Sequence, residues 1–92
     1  MKDKLRRRVI YFGRVQNVGF RWNVSNILSK FSLTGYVKNL DDGSVEVLLE
    51  GEDIEVKSGT IAVDRKMQSY WKRKKLEDNH GKPHFSSFSI IK

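Results

Sequence analysis

The stretch YVKNLDDGSVEVLLE (Tyr36–Glu50) constrains the fold more than any other part of the chain. Asp-Gly readily supplies the positive φ that a tight turn needs, so DDGS (Asp41–Ser44) reads as a hairpin. The flanking runs, YVKNL (Tyr36–Leu40) and VEVLLE (Val45–Glu50), are then paired strands. Val45, Val47 and Leu49 alternate onto one face of the second.

Upstream, RVIYF (Arg8–Phe12) is β-branched and aromatic and predicts a first strand. A glycine-containing loop, Gly13–Phe20, follows it. From Trp22 onward, Val24, Ile27, Leu28 and Phe31 recur on one face of a helix, which should stop by Gly35. Downstream, Val56, Thr60, Val63 and Met67 are spaced like a second helix face, weakened by about 1 kcal/mol at Gly59 relative to alanine. That pattern either continues to Trp71 or turns near Lys66; the preferred reading is a helix over 53–66 and a strand near 69–77. The last strand is HFSSFSIIK (His84–Lys92), after a loop marked by Gly81 and Pro83. The order is β-α-β-β-α-β plus a terminal strand. It predicts an α+β sandwich with two helices packed on one face of a mostly antiparallel sheet. No repeat, linker or low-complexity stretch divides residues 1–92, so a single domain is expected.

Length and charge narrow the function classes. Ninety-two residues suffice for one modest core without metal or disulfide staples, and the absence of cysteine excludes disulfides and thiolate chemistry. No apolar stretch approaches the roughly 18 residues of a membrane span. The basic start MKDKLRRRVIYFG has an apolar part too short for the ~7–15 residues of a signal-peptide core, so a soluble, cytoplasmic protein is expected. The net charge is +7, from 18 basic and 11 acidic residues. The excess clusters at Arg6–Arg8 and Lys72–Lys75. Such clusters fit either nucleic acid or a plainly solvated surface, and a positive field also draws in small anions.

The loop GRVQNVGFR (Gly13–Arg21) joins the first strand to the first helix. Backbone N–H groups there lack intrahelical partners, and the helix dipole adds partial positive charge. An anion is expected at such a place, and Arg21 at the loop–helix junction has a guanidinium suited to fork onto two oxygens. The loop is neither a Walker loop nor a dinucleotide fingerprint. Taken alone, it also reads as a structural turn.

Together, GRVQNVGFR and LTGYVKNLDDGSVEVLLEG resemble the acylphosphatase family. The family signature G-R-V-Q-G-V-G-F-R is met at eight of nine positions. A second signature, G-[WY]-V-x-N-x-x-D-G-x-V-E, is met throughout by Gly35, Tyr36, Val37, Asn39, Asp42, Gly43, Val45 and Glu46. The resemblance is specific over residues 9–51, and HFSSFSI near the end is similar to the family's final strand. It implies a ferredoxin-like fold and hydrolysis of acyl phosphates to a carboxylate and inorganic phosphate, with no metal and no cofactor. By position, Arg21 is the phosphate-binding arginine and Asn39 the asparagine that orients the attacking water. The loop of Gln16, Asn17, Val18, Gly19, Phe20 and Arg21 holds the phosphoryl group, and inorganic phosphate or sulfate is expected to occupy it. Two departures stand out. Asn17 replaces the family's glycine, and asparagine is the other residue that best tolerates left-handed backbone geometry, so a positive φ is expected there. Residues 56–82 lack the family's glycine-proline turn, are a few residues short and are unusually basic.

Acyl phosphates have a good leaving group, and phosphoryl transfer rests mainly on positioning and charge stabilisation. A site with no His, Asp or Glu is therefore chemically sufficient, because the substrate's own phosphate can take the proton. The partner implied is a small-molecule acyl phosphate bound by a monomer, without membrane. Two alternatives remain: a catalytically weakened anion- or partner-binding module, motivated by Asn17, and a basic nucleic-acid-binding domain. Strand three, with two glutamates and no aromatic, argues against the latter. His80 and His84 lack the companions a metal site requires, and Asp41 and Asp42 are too few for calcium. Trp22 either borders the entrance or simply packs. Tyr70 and Trp71 either stack on bases or are ordinary strand aromatics.

Overall fold

The computed structural model describes residues 3–92, so Met1 and Lys2 of the basic start lie outside the described residues. In chain order it contains β1 (Lys4–Gly13), α1 (Phe20–Leu28), β2 (Thr34–Asn39), β3 (Val45–Gly51), α2 (Asp53–Lys66), β4 (Trp71–Gly81) and β5 (Phe88–Ile91). The strands form one sheet in the order β4-β1-β3-β2-β5. Three of its pairings are antiparallel, and β5 runs parallel to β2. This is the expected α+β, ferredoxin-like arrangement, with a fifth strand added at one edge.

Alternation along β1 explains its two faces. Leu5, Val9 and Tyr11 are buried in the core, where they meet Val24 and Leu28 of α1 and Val56 and Val63 of α2. Val45, Val47 and Leu49 of β3 join the same core, on the face their spacing predicts. Arg7 shares this side: its guanidinium pairs with Asp78 of β4 and donates to the Thr60 hydroxyl on α2 at 3.2 Å. The opposite face of the sheet carries no helix. There Arg6 pairs with Glu50 at 3.0 Å and Arg8 with Glu46, so the two carboxylates of β3 are buried against arginines.

Residues 82–87 cross that open face before β5 begins. Arg6 donates to the Lys82 carbonyl at 2.6 Å, and the Phe85 ring meets the Tyr36 ring edge-on at 5.4 Å. The backbone N–H groups of His84 and Phe85 donate to the Glu50 carboxylate at 2.8 and 3.1 Å, and Gly35 N–H donates to the Ser87 carbonyl. These bonds explain why the final strand is shorter than His84–Lys92: the amides at 84 and 85 serve Glu50 instead of a strand neighbour. β1 is longer than Arg8–Phe12 because the arginines ahead of it have carboxylate partners. α1 begins at Phe20, before Trp22, and ends at Leu28; Phe31 packs on the core from the turn beyond it. β4 runs from Trp71 to Gly81, four residues past the expected end near 77.

Candidate active site

The loop after β1 is built from two left-handed residues. Asn17 has φ +63°, as the sequence predicts, and Gly19, which precedes α1, has φ +75°. Gly19 offers no side-chain cap, and the first turn of α1 holds no acidic residue. The helix begins its own ladder only at Asn23, whose N–H donates to the Gly19 carbonyl at 3.0 Å. The N–H groups before it are thus left for another acceptor, at the positive end of the helix dipole.

The loop opens onto a cleft of about 200 Å³ lined by Val15, Asn17, Gly19, Phe20, Arg21, Trp22, Asn39, Ile90 and Lys92. Asn17, Gly19, Phe20 and Arg21 of the predicted phosphate loop thus line the same cleft as Asn39, which comes 18 positions (39 − 21) after Arg21. Gln16 and Val18 are not among its lining residues. Arg21 is half-buried, and its Nη1 donates to the Ile91 carbonyl at 3.1 Å, which ties the guanidinium to β5. Among the described residues no carboxylate pairs with it. Asn39 is the last residue of β2, opposite Val45 of β3.

Gln16 has a different task from its neighbours. Its side-chain amide donates to the Leu40 carbonyl at 2.7 Å and to the Ser44 carbonyl at 2.9 Å. These two residues flank the hairpin turn, which is closed by Leu40 N–H on the Ser44 carbonyl and Gly43 N–H on the Leu40 carbonyl. Asp42 accepts from the Ser44 hydroxyl and backbone N–H, and these bonds hold its carboxyl below the ordinary range. Gln16 therefore fixes the loop against the turn that carries Asn39. Sequence spacing does not announce this clamp, nor the contributions of Ile90 and Lys92, which arrive from the far end of the chain.

The side chains lining the cleft include two cations, Arg21 and Lys92, and no Asp, Glu, His or Cys. Such a wall can hold an anion and orient water. The Arg6–Arg8 cluster does not compete for this role. All three arginines of Arg6–Arg8 are paired with carboxylates. Trp71 is packed rather than offered to bases: its Nε1 donates to the Asp64 carbonyl at 3.1 Å and its ring meets Tyr11 at 5.6 Å. Trp22, by contrast, is 65% exposed at the cleft mouth. Two tyrosines are perturbed away from the cleft. Burial, reinforced by Asp64, pushes Tyr11 far up, and burial with a bond to Glu46 pushes Tyr36 up to about 12.

Comparison with known proteins agrees with this layout. The model of the Acylphosphatase family matches residues 7–90. The acylphosphatase of Bacillus subtilis is 49% identical over 59 residues, covering 64% of this chain and 65% of that one. That of Thermococcus kodakarensis is 45% identical over 49 residues, covering 53% and 54% respectively. The chain thus spans between half and two thirds of the length of these curated relatives. The crystal structure of acylphosphatase from Bacillus subtilis superposes with a TM-score of 0.83 at 34% identity, covering 96% of this chain and 99% of that chain. With the family match extending from β1 to β5, the chain belongs to the acylphosphatase family.

Proposed function

We propose that the chain is an acylphosphatase that hydrolyses the carboxyl–phosphate bond of acyl phosphates to a carboxylate and inorganic phosphate. The observation that carries the reading is the shared cleft, in which the loop, Arg21 and Asn39 converge although they come from separate elements. The phosphoryl group is held by loop N–H groups and the Arg21 guanidinium, whose fork matches two phosphoryl oxygens. Asn39 holds the attacking water through its amide, which both donates and accepts. The water oxygen bonds to phosphorus, the phosphorus–oxygen bond to the acyl group breaks, and the carboxylate leaves with the electron pair. The water's proton passes to the substrate's phosphate, so no side-chain base is required. Positive charge on the cleft wall stabilises charge developing on the phosphoryl oxygens.

A small acyl phosphate is the partner of this site, and phosphate or sulfate competes for it. In this reading the site is complete without a metal or second subunit, and the protein acts as a monomer; a cytoplasmic location is part of the same proposal. Among the described residues no helix is long and apolar enough to cross a membrane. A weakened, purely binding module is not favoured, since Asn17 takes the left-handed geometry the loop requires.

The test is steady-state hydrolysis of acetyl phosphate, with inorganic phosphate as inhibitor. Arg21 touches phosphate before and during reaction, so Arg21→Ala weakens phosphate inhibition and turnover together. Asn39 touches mainly water, so Asn39→Ala lowers kcat with KM nearly unchanged. Each loss is about 10²-fold or more, the scale of removing one preorganised transition-state donor. A folded Asn39→Ala protein with full activity refutes the water-positioning role.

A further inference from the structure

Glu50 is a buried titratable group for which the proposed chemistry has no use. It is 1% exposed, on the sheet face opposite the helices, and four donors converge on its carboxylate. Oε2 accepts from Arg6 Nε at 3.0 Å and His84 N–H at 2.8 Å; Oε1 accepts from the Thr34 hydroxyl at 3.0 Å and Phe85 N–H at 3.1 Å. Burial acts to raise its pKa, but these donors outweigh burial and hold the carboxyl below the ordinary carboxylate range. One side chain therefore joins β1, β2 and the strap of residues 82–87.

The strap leads directly into β5. That strand is only four residues long, is paired on one side alone, and runs parallel to β2. It nevertheless supplies the cleft with Ile90, and its last residue offers the carbonyl that holds Arg21 at 3.1 Å. The register of β5 on β2 is set from its start, where Gly35 N–H meets the Ser87 carbonyl two residues after Phe85. We infer that Glu50 is a positioning residue for phosphate binding: by anchoring the strap it places β5, and through the Ile91 carbonyl it fixes the Arg21 guanidinium at the phosphate. This rests on Arg21 being the phosphate ligand, as proposed above. Displacements of about 1 Å at a reacting centre, caused by changes far from it, cost as much as 10²-fold. A carboxylate behind the sheet can therefore act on the cleft.

The test is titration of the folded protein with inorganic phosphate by calorimetry, below the melting temperature of every variant. In Glu50→Gln an amide NH₂ faces donors, so the strap loosens and the phosphate Kd rises about tenfold or more. Phe85→Ala removes the strap's ring from Tyr36 without touching the carboxylate, and raises Kd by about two- to threefold. Val63→Ala, a core truncation in α2, lowers stability but leaves Kd at the wild-type value. If Glu50→Gln does not fold, Phe85→Ala decides. Wild-type affinity in the folded strap variants overturns the inference, as does weakening that merely tracks lost stability in all three. Unchanged phosphate affinity in Arg21→Ala instead overturns the reading on which the inference stands, and the inference with it.

Discussion

Replacing Gln16 with glutamate exchanges one heavy atom, the amide nitrogen for an oxygen, and reverses the chemistry of the clamp between the loop and the hairpin. In the native protein one amide nitrogen donates to two carbonyls, at 2.7 and 2.9 Å. An ionised carboxylate has no proton to give and would set acceptor against acceptor. Losing two bonds at about 0.5–1.5 kcal/mol each predicts a deficit of roughly 1–3 kcal/mol at pH 7, before any repulsion. For a domain of this size each kcal/mol moves Tm by about 4–8 °C, so a mid-range deficit of about 2 kcal/mol lowers it by roughly 8–16 °C. The deficit carries a pH signature. A protonated carboxyl can donate one of the two bonds, so the folded state raises the pKa of Glu at position 16 above its ordinary ~4.3. Stability contributed by the protonated form is fully present below that ordinary value and is lost as pH rises through the folded one. Thermal melts at pH 4 and pH 7, read against wild type at the same pH, should show the smaller deficit at pH 4. A Tm within about 2 °C of wild type at pH 7, or an equal deficit at both pH values, refutes the clamp.

At Asn17, replacement by glycine keeps the left-handed backbone at φ +63° and removes a side chain from the cleft wall, so acetyl phosphate turnover is retained or raised; a fall of tenfold or more would show that the Asn17 amide itself acts on the substrate. At Gly35 an added Cβ would stand 1.9 Å from the Leu48 carbonyl oxygen at φ +133°, so Gly35→Ala must push β2 off β3. A loss of about 3 kcal/mol or more is expected, beyond the ordinary range for point substitutions, and urea unfolding with a deficit under about 1 kcal/mol would contradict the close approach.

Local signals were legible where one residue dictates one geometry. Asp42-Gly43 announced the hairpin, the valines of β3 announced its buried face, and Asn17 announced a left-handed turn. Charged segments were harder to read, because their strand character depends on partners distant in sequence. Arg6 and Arg8 look like surface until Glu50 and Glu46 are placed beside them, and β4 is so hydrophilic that its pairing with β1 is its main claim to be a strand. Gly59 weakens the α2 pattern for a packing reason: a Cβ there would lie 2.8 Å from Leu33 and 3.1 Å from Leu28. In the cleft, the resemblance named Arg21, Asn39 and the loop. The Gln16 clamp, the Ile91 carbonyl and Ile90 lay beyond reach, since each is defined by a contact across at least 24 residues or by the path of the strap.

The basic run Lys72–Lys75 takes on a different meaning once β4 is seen at the rim of the sheet. A long rim strand of 11 residues is open to hydrogen bonding along one side, which invites the rim of another molecule to pair with it. Four consecutive basic residues lie on that rim; Lys74 is paired with Asp64, while Lys72 and Lys75 add positive charge along it. Lysines on an edge strand disfavour cross-molecular pairing without removing a hydrogen bond from the fold. The other rim, β5, is only four residues long and offers little template. The surplus charge that first suggests a polyanion partner thus lies where an open sheet edge is guarded by charge, a device that disfavours edge-to-edge pairing.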